Sequence, residues 1–310
     1  MTIQTARVIP EAGLPPSDPE CPAAARSPRS RSSSLLGWLG ALPYLLFLAI
    51  FLIAPIATNI WTSFQVDGSF SLASMSRLFE PQYRDAFVQT INLSLLTAGI
   101  GGVLGLTLAW ALATSERPNW LRNLVLSFSA VASQMGGVAL AFAFIAAIGV
   151  QGLVTRMVLS LTGWNLSDSI HLASFWGIAI VYLYFQIPLM AILMLPAFGS
   201  LKRQWSEAAY SLGASRFRYL KDVAFPIMWP STIGALLLLF ANSFSAYATA
   251  YALAGGRVNL VPILIGFFIS GNVMTDDSFA AALVTGMIVI VVLAIGLRTL
   301  LERRTNKWLR

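Results

Sequence analysis

The sequence predicts an all-α integral membrane protein with six transmembrane helices. Three observations carry this. Hydrophobic residues make up 57% of the 310 positions and charged ones only 11%, less than half the charge of an ordinary soluble domain. Uncharged apolar runs long enough for a hydrocarbon core of ~30 Å occur near 38–60, 88–113, 124–150, 172–198, 227–254 and 279–297. When these runs alternate across a bilayer, most of the Lys and Arg fall on one side, as cytoplasmic loops require.

Residues 1–34 are rich in Pro, Ser, Ala and Arg without periodicity, and are expected to form a disordered cytoplasmic arm. The single cysteine, Cys21, lies in this arm, so neither a disulfide framework nor a metal cluster is expected. Residues 35–64 hold the first transmembrane helix. Its apolar run begins far into the chain and has the length of a full span, which predicts an uncleaved helix rather than a signal peptide. An outer loop over 61–87 contains a short amphipathic helix around SMSRLFEPQYRDAF.

In the second run, Gly101 and Gly105 form a G-x-x-x-G, a spacing that lets two helices approach closely; Asn92 and Ser94 read as packing residues. The third run includes Ser133 and Gln134. A second outer loop, 151–171, ends at the only histidine, His171, read as an interfacial residue. Gln186 lies inside the fourth run. Pro43, Pro55, Pro188 and Pro196 lie in or at the ends of spans, as kinks or as packing features.

Between the fourth and fifth runs comes SEAAYSLGASRFRYLKDVAFP, residues 206–226. Trp205, Ala208, Ala209 and Leu212 fall at i, i+3, i+4 and i+7, one face of a helix. Gly213 is placed to close that helix in the left-handed conformation. Ser215 is placed to cap a second short helix carrying Phe217, Leu220 and Ala224. The stretch reads as a basic helix–turn–helix outside the membrane, suited to docking.

The fifth run ends in NSFSAYATAY, with Asn242, Ser245 and Thr249 at i, i+3 and i+7, one helical face. Two readings stand: interhelical hydrogen bonds worth roughly 0.6 kcal/mol each, or the lining of a solvated path. The segment 258–275 is uncharged but interrupted by Asn259, Pro262, Gly266, Gly271 and Asn272. It is expected to be re-entrant or interfacial on the outer side. A seventh crossing would put the basic tail, 301–310, outside, against the positive-inside bias.

With six crossings, Arg7, Arg26, Arg29 and Arg31 of the arm lie inside. So do Arg117, Arg122, Lys202, Arg203, Arg216, Arg218 and Lys221 of the loops, and Arg298, Arg303, Arg304, Lys307 and Arg310 at the end. Only Arg77, Arg84, Arg156 and Arg257 remain outside. Both termini are therefore expected in the cytoplasm. Orientation and attraction to anionic lipid account for the net charge of +7 without nucleic acid.

No G-x-x-x-x-G-K-[ST] occurs, and none of Lys202, Lys221 and Lys307 follows a glycine, so no P-loop for ATP is expected. One histidine and so few acids assemble no catalytic set. The runs carry no Asp, Glu, Lys or Arg, whereas ion-coupled carriers usually keep an ionisable group at depth. A transporter of this kind must receive its energy from a partner. Ranged against it are a secondary carrier, which the uncharged runs disfavour, an integral membrane enzyme, and a scaffold that would not need the register of 207–226.

Glu207, Ala208, Ala209, Gly213 and Pro226 stand in the register of the EAA signature of binding-protein-dependent ABC importer permeases. The signature reads EAA, three residues, Gly, nine residues, Ile-x-Leu-Pro. Val223 and Phe225 replace its Ile and Leu but keep those places apolar. The chain therefore resembles that family, over about 86–300 with the first span in front.

The resemblance implies a MetI-like, type I importer permease fold in the bacterial inner membrane, working as a pair. Its implied partners are a second permease chain, cytoplasmic ABC ATPase subunits that bind ATP and Mg2+, and a periplasmic solute-binding protein. No cofactor or metal is implied in this chain. It further implies that 205–212 is the coupling helix, seated on the ATPase through Glu207, with Gly213 as the bend. VASQMGGVALAFAFIAAIGVQGLV and RVNLVPILIGFFIS resemble the spermidine/putrescine, ferric iron, sulfate and phosphonate group of permeases. Gln134, Gln186, Asn242, Ser245 and Thr249 are the candidate path-lining residues.

Overall fold

A computed structural model describes residues 42–66, 68–114, 119–270 and 276–306. The arm 1–34 and the end of the tail, 307–310, lie outside the described residues. Six stretches are helical and apolar enough to cross a membrane: Leu42–Thr62, Pro81–Thr114, Gly137–Thr162, Phe175–Gly199, Phe217–Phe244 and Asp277–Leu297. The chain divides into two compact units, Met1–Ala54 and Pro55–Arg310.

The first span is α1, Leu42–Thr62. It contains a π turn at Ala49–Ile53, closed by the Ala54 N–H donating to the Ala49 carbonyl, directly before Pro55. Proline offers no N–H, and its ring crowds the carbonyl one turn back. A wider turn next to it relieves that crowding. Residues 63–80 form a two-residue antiparallel ladder, Gln65–Val66 with Ser69–Phe70, and a short α2, Ala73–Arg77. The amphipathic helix expected around SMSRLFEPQYRDAF is split. Its first part is α2, and its second part, from Pro81, opens the second span α3, Pro81–Thr114.

The third run is not one helix. It forms α4, Asn119–Gln134, then a break, then α5, Gly137–Ile148. Gly136 is extended and Gly137 sits at φ +75°, a conformation side chains oppose. Beyond a turn at 149–152 come α6, Leu153–Thr162, and the single turn α7, Leu166–Ser169. Together α5 and α6 make the third apolar stretch. The fourth span, α8, runs Phe175–Gly199 with Pro188 and Pro196 inside it; neither proline ends the helix.

α9, Arg203–Ser211, precedes the fifth span α10, Phe217–Phe244. The second short helix expected after Ser215 is the N-terminal end of α10 itself. A π turn at Leu220–Ala224 lets the helix pass Pro226, repeating the device seen before Pro55. The C-terminal end differs too: α10 stops at Phe244, and α11, Tyr247–Ala254, is a separate helix. α12 is Val261–Ser270, and α13, Asp277–Asn306, contains the sixth span.

The core forms where α3, α8 and α10 meet, and glycine sets their approach. A Cβ at Gly101 would stand 2.8 Å from the Gln186 Cβ. At Gly105 it would stand 2.5 Å from the Ile187 carbonyl oxygen, and at Gly102 2.3 Å from Leu236 Cδ2. The G-x-x-x-G is thus a packing stripe, continued by Gly102. Thr97 and Ser243 share a buried hydroxyl–hydroxyl bond of 2.8 Å across α3 and α10. Ser94 is buried and donates to the Thr90 carbonyl within α3. Leu239, Phe244, Met190 and Met194 fill the space around these contacts.

Asn259 and Asp276, on either side of α12, are held near the start of α3. The Asn259 amide donates to the Gln82 carbonyl at 2.9 Å, and Asp276 accepts from Arg77 at 2.7 Å. Arg77 also lies 4.1 Å over the Phe279 ring. The ten residues of α12 measure about 15 Å at 1.5 Å per residue, half a hydrocarbon core. Residues 271–275 lie outside the described residues.

Candidate functional site

Two places combine exposed polar or apolar groups with a deliberate backbone feature. The first is α9. None of its nine residues is buried, although Trp205, Ala208 and Ala209 make an apolar stripe and Tyr210 is 45% exposed. Leu212, expected on that stripe as the last helical position, is instead the residue at which the helix ends and is 88% exposed.

The helix ends there because Gly213 turns left-handed at φ +80°. The Gly213 N–H donates to the Tyr210 carbonyl at 2.9 Å, and the Ala214 N–H to the Ala209 carbonyl at 3.0 Å. That pair of bonds is a Schellman closure, which satisfies carbonyls the helix would leave free. Ser215 then caps the next helix by accepting from the Arg218 N–H. Glu207 pairs with Arg203 at 2.9 Å on the solvent side. The rings of Tyr210 and Tyr219, 5.9 Å apart, link α9 to the start of α10.

The second place lies between two helix breaks. The α4–α5 break and the α10–α11 break face each other and are tied by one side chain. Thr249 Oγ1 accepts from the Gly137 N–H at 2.7 Å and donates to the Gly137 carbonyl at 3.3 Å. Tyr182 donates to the Ala246 carbonyl at 2.5 Å. A cavity of about 450 Å³ opens beside them, lined among others by Ser133, Gln134, Asn242, Ser245 and Thr249. No residue of its lining is ionisable apart from the Tyr247 phenol.

Six apolar helices of membrane-crossing length, with a bare helix after the fourth, accompany a match to one family. Residues 101–307 fit the model of the binding-protein-dependent transport system inner membrane component. The chain belongs to this family.

This permease is 30% identical over 295 residues to the sn-glycerol-3-phosphate transport system permease protein of Pectobacterium atrosepticum, covering 88% of this chain and 96% of that one. It is 26% identical over 252 residues to a probable sulfate transport system permease protein of Nephroselmis olivacea, covering 78% and 82%. Its fold superposes with a TM-score of 0.71, at 17% identity, on a chain of a bacterial alginate ABC transporter solved with an alginate-bound periplasmic protein. That match covers 88% of this chain and 96% of the other. The protein is therefore an ABC importer permease subunit, a multi-pass membrane protein of the MetI-like fold.

Within the permease, the path-lining candidates separate. Gln134, Asn242, Ser245 and Thr249 meet at the one cavity. The shared helical face expected of the last three does not exist, because the helix breaks at Ser245–Ala246; the break itself brings Thr249 back to the cavity. Gln186 is not there. It is fully buried, and its amide donates to the Leu239 carbonyl at 2.9 Å, while its Oε1 has no partner among the described residues. Gln186 holds α8 to α10. Sequence reasoning passed over Gly137, Phe185 and Tyr247, which complete the site. The Gly136–Gly137 doublet inside an otherwise apolar run was the available signal. Pro226 follows the π turn of α10.

Proposed function

We propose that this permease forms part of the transmembrane path of an ATP-driven importer for a small hydrophilic solute. It sits in the bacterial inner membrane with both termini in the cytoplasm. A second permease chain, different or identical, completes the path. A periplasmic binding protein delivers the solute. Cytoplasmic ABC ATPase subunits, which bind ATP and Mg2+, supply the energy through α9.

The observation that carries this reading is α9: a short amphipathic helix with its apolar stripe bare, closed by a fixed left-handed turn and leading directly into a span that ends at the cavity. An apolar stripe left in water is unfavourable unless a partner covers it. Displacement of α9 by an ATPase would reach the α10–α11 break through a helix of 28 residues. The uncharged cavity suits passage by rocking of the bundle rather than by a proton or ion relay.

The test is a cross-link. With Cys21 replaced by Ala, Ala208→Cys should join to the ATPase through a maleimide–benzophenone reagent, whose maleimide adds the thiol and whose photoexcited ketone inserts into a C–H bond of the neighbouring subunit, and Ser169→Cys should not. Absence of any ATPase adduct at Ala208→Cys, in a complex that transports, would remove α9 from the interface.

A further inference from the structure

We propose that the cavity between the two helix breaks is a subsite for an uncharged, hydroxyl-rich solute, a sugar or polyol, held by the side-chain amides of Gln134 and Asn242. This rests on reading the chain as a permease path, and it narrows the solute to a chemical class.

The polar groups of the cavity are not equally free. Ser133 Oγ donates to the Ala130 carbonyl and Ser245 Oγ to the Ala241 carbonyl, both at 2.9 Å. Thr249 Oγ1 is committed to Gly137 in both directions. Among the described residues, no hydrogen bond engages the side-chain amide of Gln134 or of Asn242. An amide presents donors and an acceptor side by side. Two free amides across one cavity can each give and take a bond with neighbouring hydroxyls, which themselves donate and accept.

Charge argues in the same direction. Among the described residues, no Asp, Glu, Lys, Arg or His lines the cavity. A polyamine, a sulfate or a metal ion would leave its water shell here without a counter-charge, which is costly in a low-dielectric site. A neutral hydroxylated molecule loses only hydrogen bonds that the amides and hydroxyls can replace.

The apolar part of the lining fits the other face of such a solute. Phe185 and Tyr247 are the aromatic residues of the lining, and Phe185 is almost wholly buried. Tyr247 is fixed in place: its ring stacks on Tyr251 at 5.3 Å, and its hydroxyl lies where a Cβ on Gly266 would come within 2.7 Å. The volume of about 450 Å³ falls in the range of about 300–1,000 Å³ usual for small-molecule sites.

The experiment uses the assembled importer in lipid nanodiscs, with Cys21→Ala and Ser133→Cys, a lining position beside Gln134, in this chain. The rate of maleimide labelling at that cysteine is measured with trehalose, glycerol, sulfate, sn-glycerol 3-phosphate or spermidine present. A neutral probe should slow labelling about threefold at twice its dissociation constant, and Asn242→Leu should abolish the protection. The charged probes should leave the rate unchanged. Protection by a charged probe, or none by either neutral one, overturns the subsite. The ATPase cross-link at Ala208→Cys is read in parallel, so failure of the permease-path reading shows separately from failure of the solute class.

Discussion

At Gly213 the backbone is left-handed at φ +80°, with nothing within 4 Å of the place a Cβ would occupy. A side chain there is opposed by conformation alone. Gly213→Val should therefore cost about 1–3 kcal/mol of local strain, opening the turn that sets the angle of α9. Gly213→Asn should be milder, since Asn tolerates this region. Glu207 is a different case. Its pair with Arg203 is exposed on both sides, so within the chain it contributes at most about 0.5 kcal/mol. A charge-assisted contact with an ATPase would be worth about 1.5–3 kcal/mol.

Glu207→Lys should thus leave the melting temperature of the isolated permease unchanged but reduce ATPase binding and uptake. Gly213→Val should reduce both coupling and turn stability. Wild-type uptake by the two variants, measured at equal membrane levels, would sink the coupling role. The left-handed turn at Gly213 was legible in the sequence because only glycine takes that conformation freely where a helix must close. Gln186 was not: a polar residue in a span is the same letter whether it satisfies a buried carbonyl or faces a solute.

Among the elements, contact between α3 and α8 depends on backbone meeting backbone. The Cβ of Gly105→Ala would approach the Ile187 carbonyl and the Met190 Cβ at 2.5 Å each. Neither is the end of a flexible chain, so the helices must separate, a strain of about 1–3 kcal/mol. Gly99→Ala, on the same helix with open space around it, should be neutral or slightly stabilising, because alanine is the better helix former. Thermal melting of the purified permease distinguishes the two, and equal melting temperatures would show that the stripe is not a close contact.

That stripe was readable from spacing alone. The helix break at Ser245–Ala246 was not, and the one at Met135–Gly136 left only its glycine doublet as a local sign. Both lie in runs whose predominantly apolar character marks membrane depth and says nothing of continuity. The breaks are sustained by a distant hydroxyl, Thr249 on Gly137, and by Tyr182 on the Ala246 carbonyl. A contact 112 residues away in sequence leaves no local pattern. The π turns escaped for the same reason in reverse: Pro55 and Pro226 were visible, but composition does not tell a kink from a widened turn.

For the whole molecule, the number of crossings decides which side α9 faces. α12 is too short to span, and its flanks are tied to Gln82 and Arg77, near one end of α3. Reporter fusions just before Arg257 and just after Asp277 should therefore report the same side. Ser211 and Ser169 are both exposed, so cysteines there are accessible to reagent from whichever side each faces. The proposed topology, drawn from the distribution of basic residues, has Ser211 inside and Ser169 outside. With Cys21→Ala, a membrane-impermeant maleimide applied to intact cells should label Ser169→Cys and spare Ser211→Cys until the cells are opened. Labelling of Ser211→Cys in intact cells would put α9 outside, where no ATPase could reach it. Opposite reports from the two fusions would add a seventh crossing at α12 and carry the basic tail outside. Either result would break the link between bundle and energy source, because only an even number of spans leaves α9 and both termini facing the same cytoplasm.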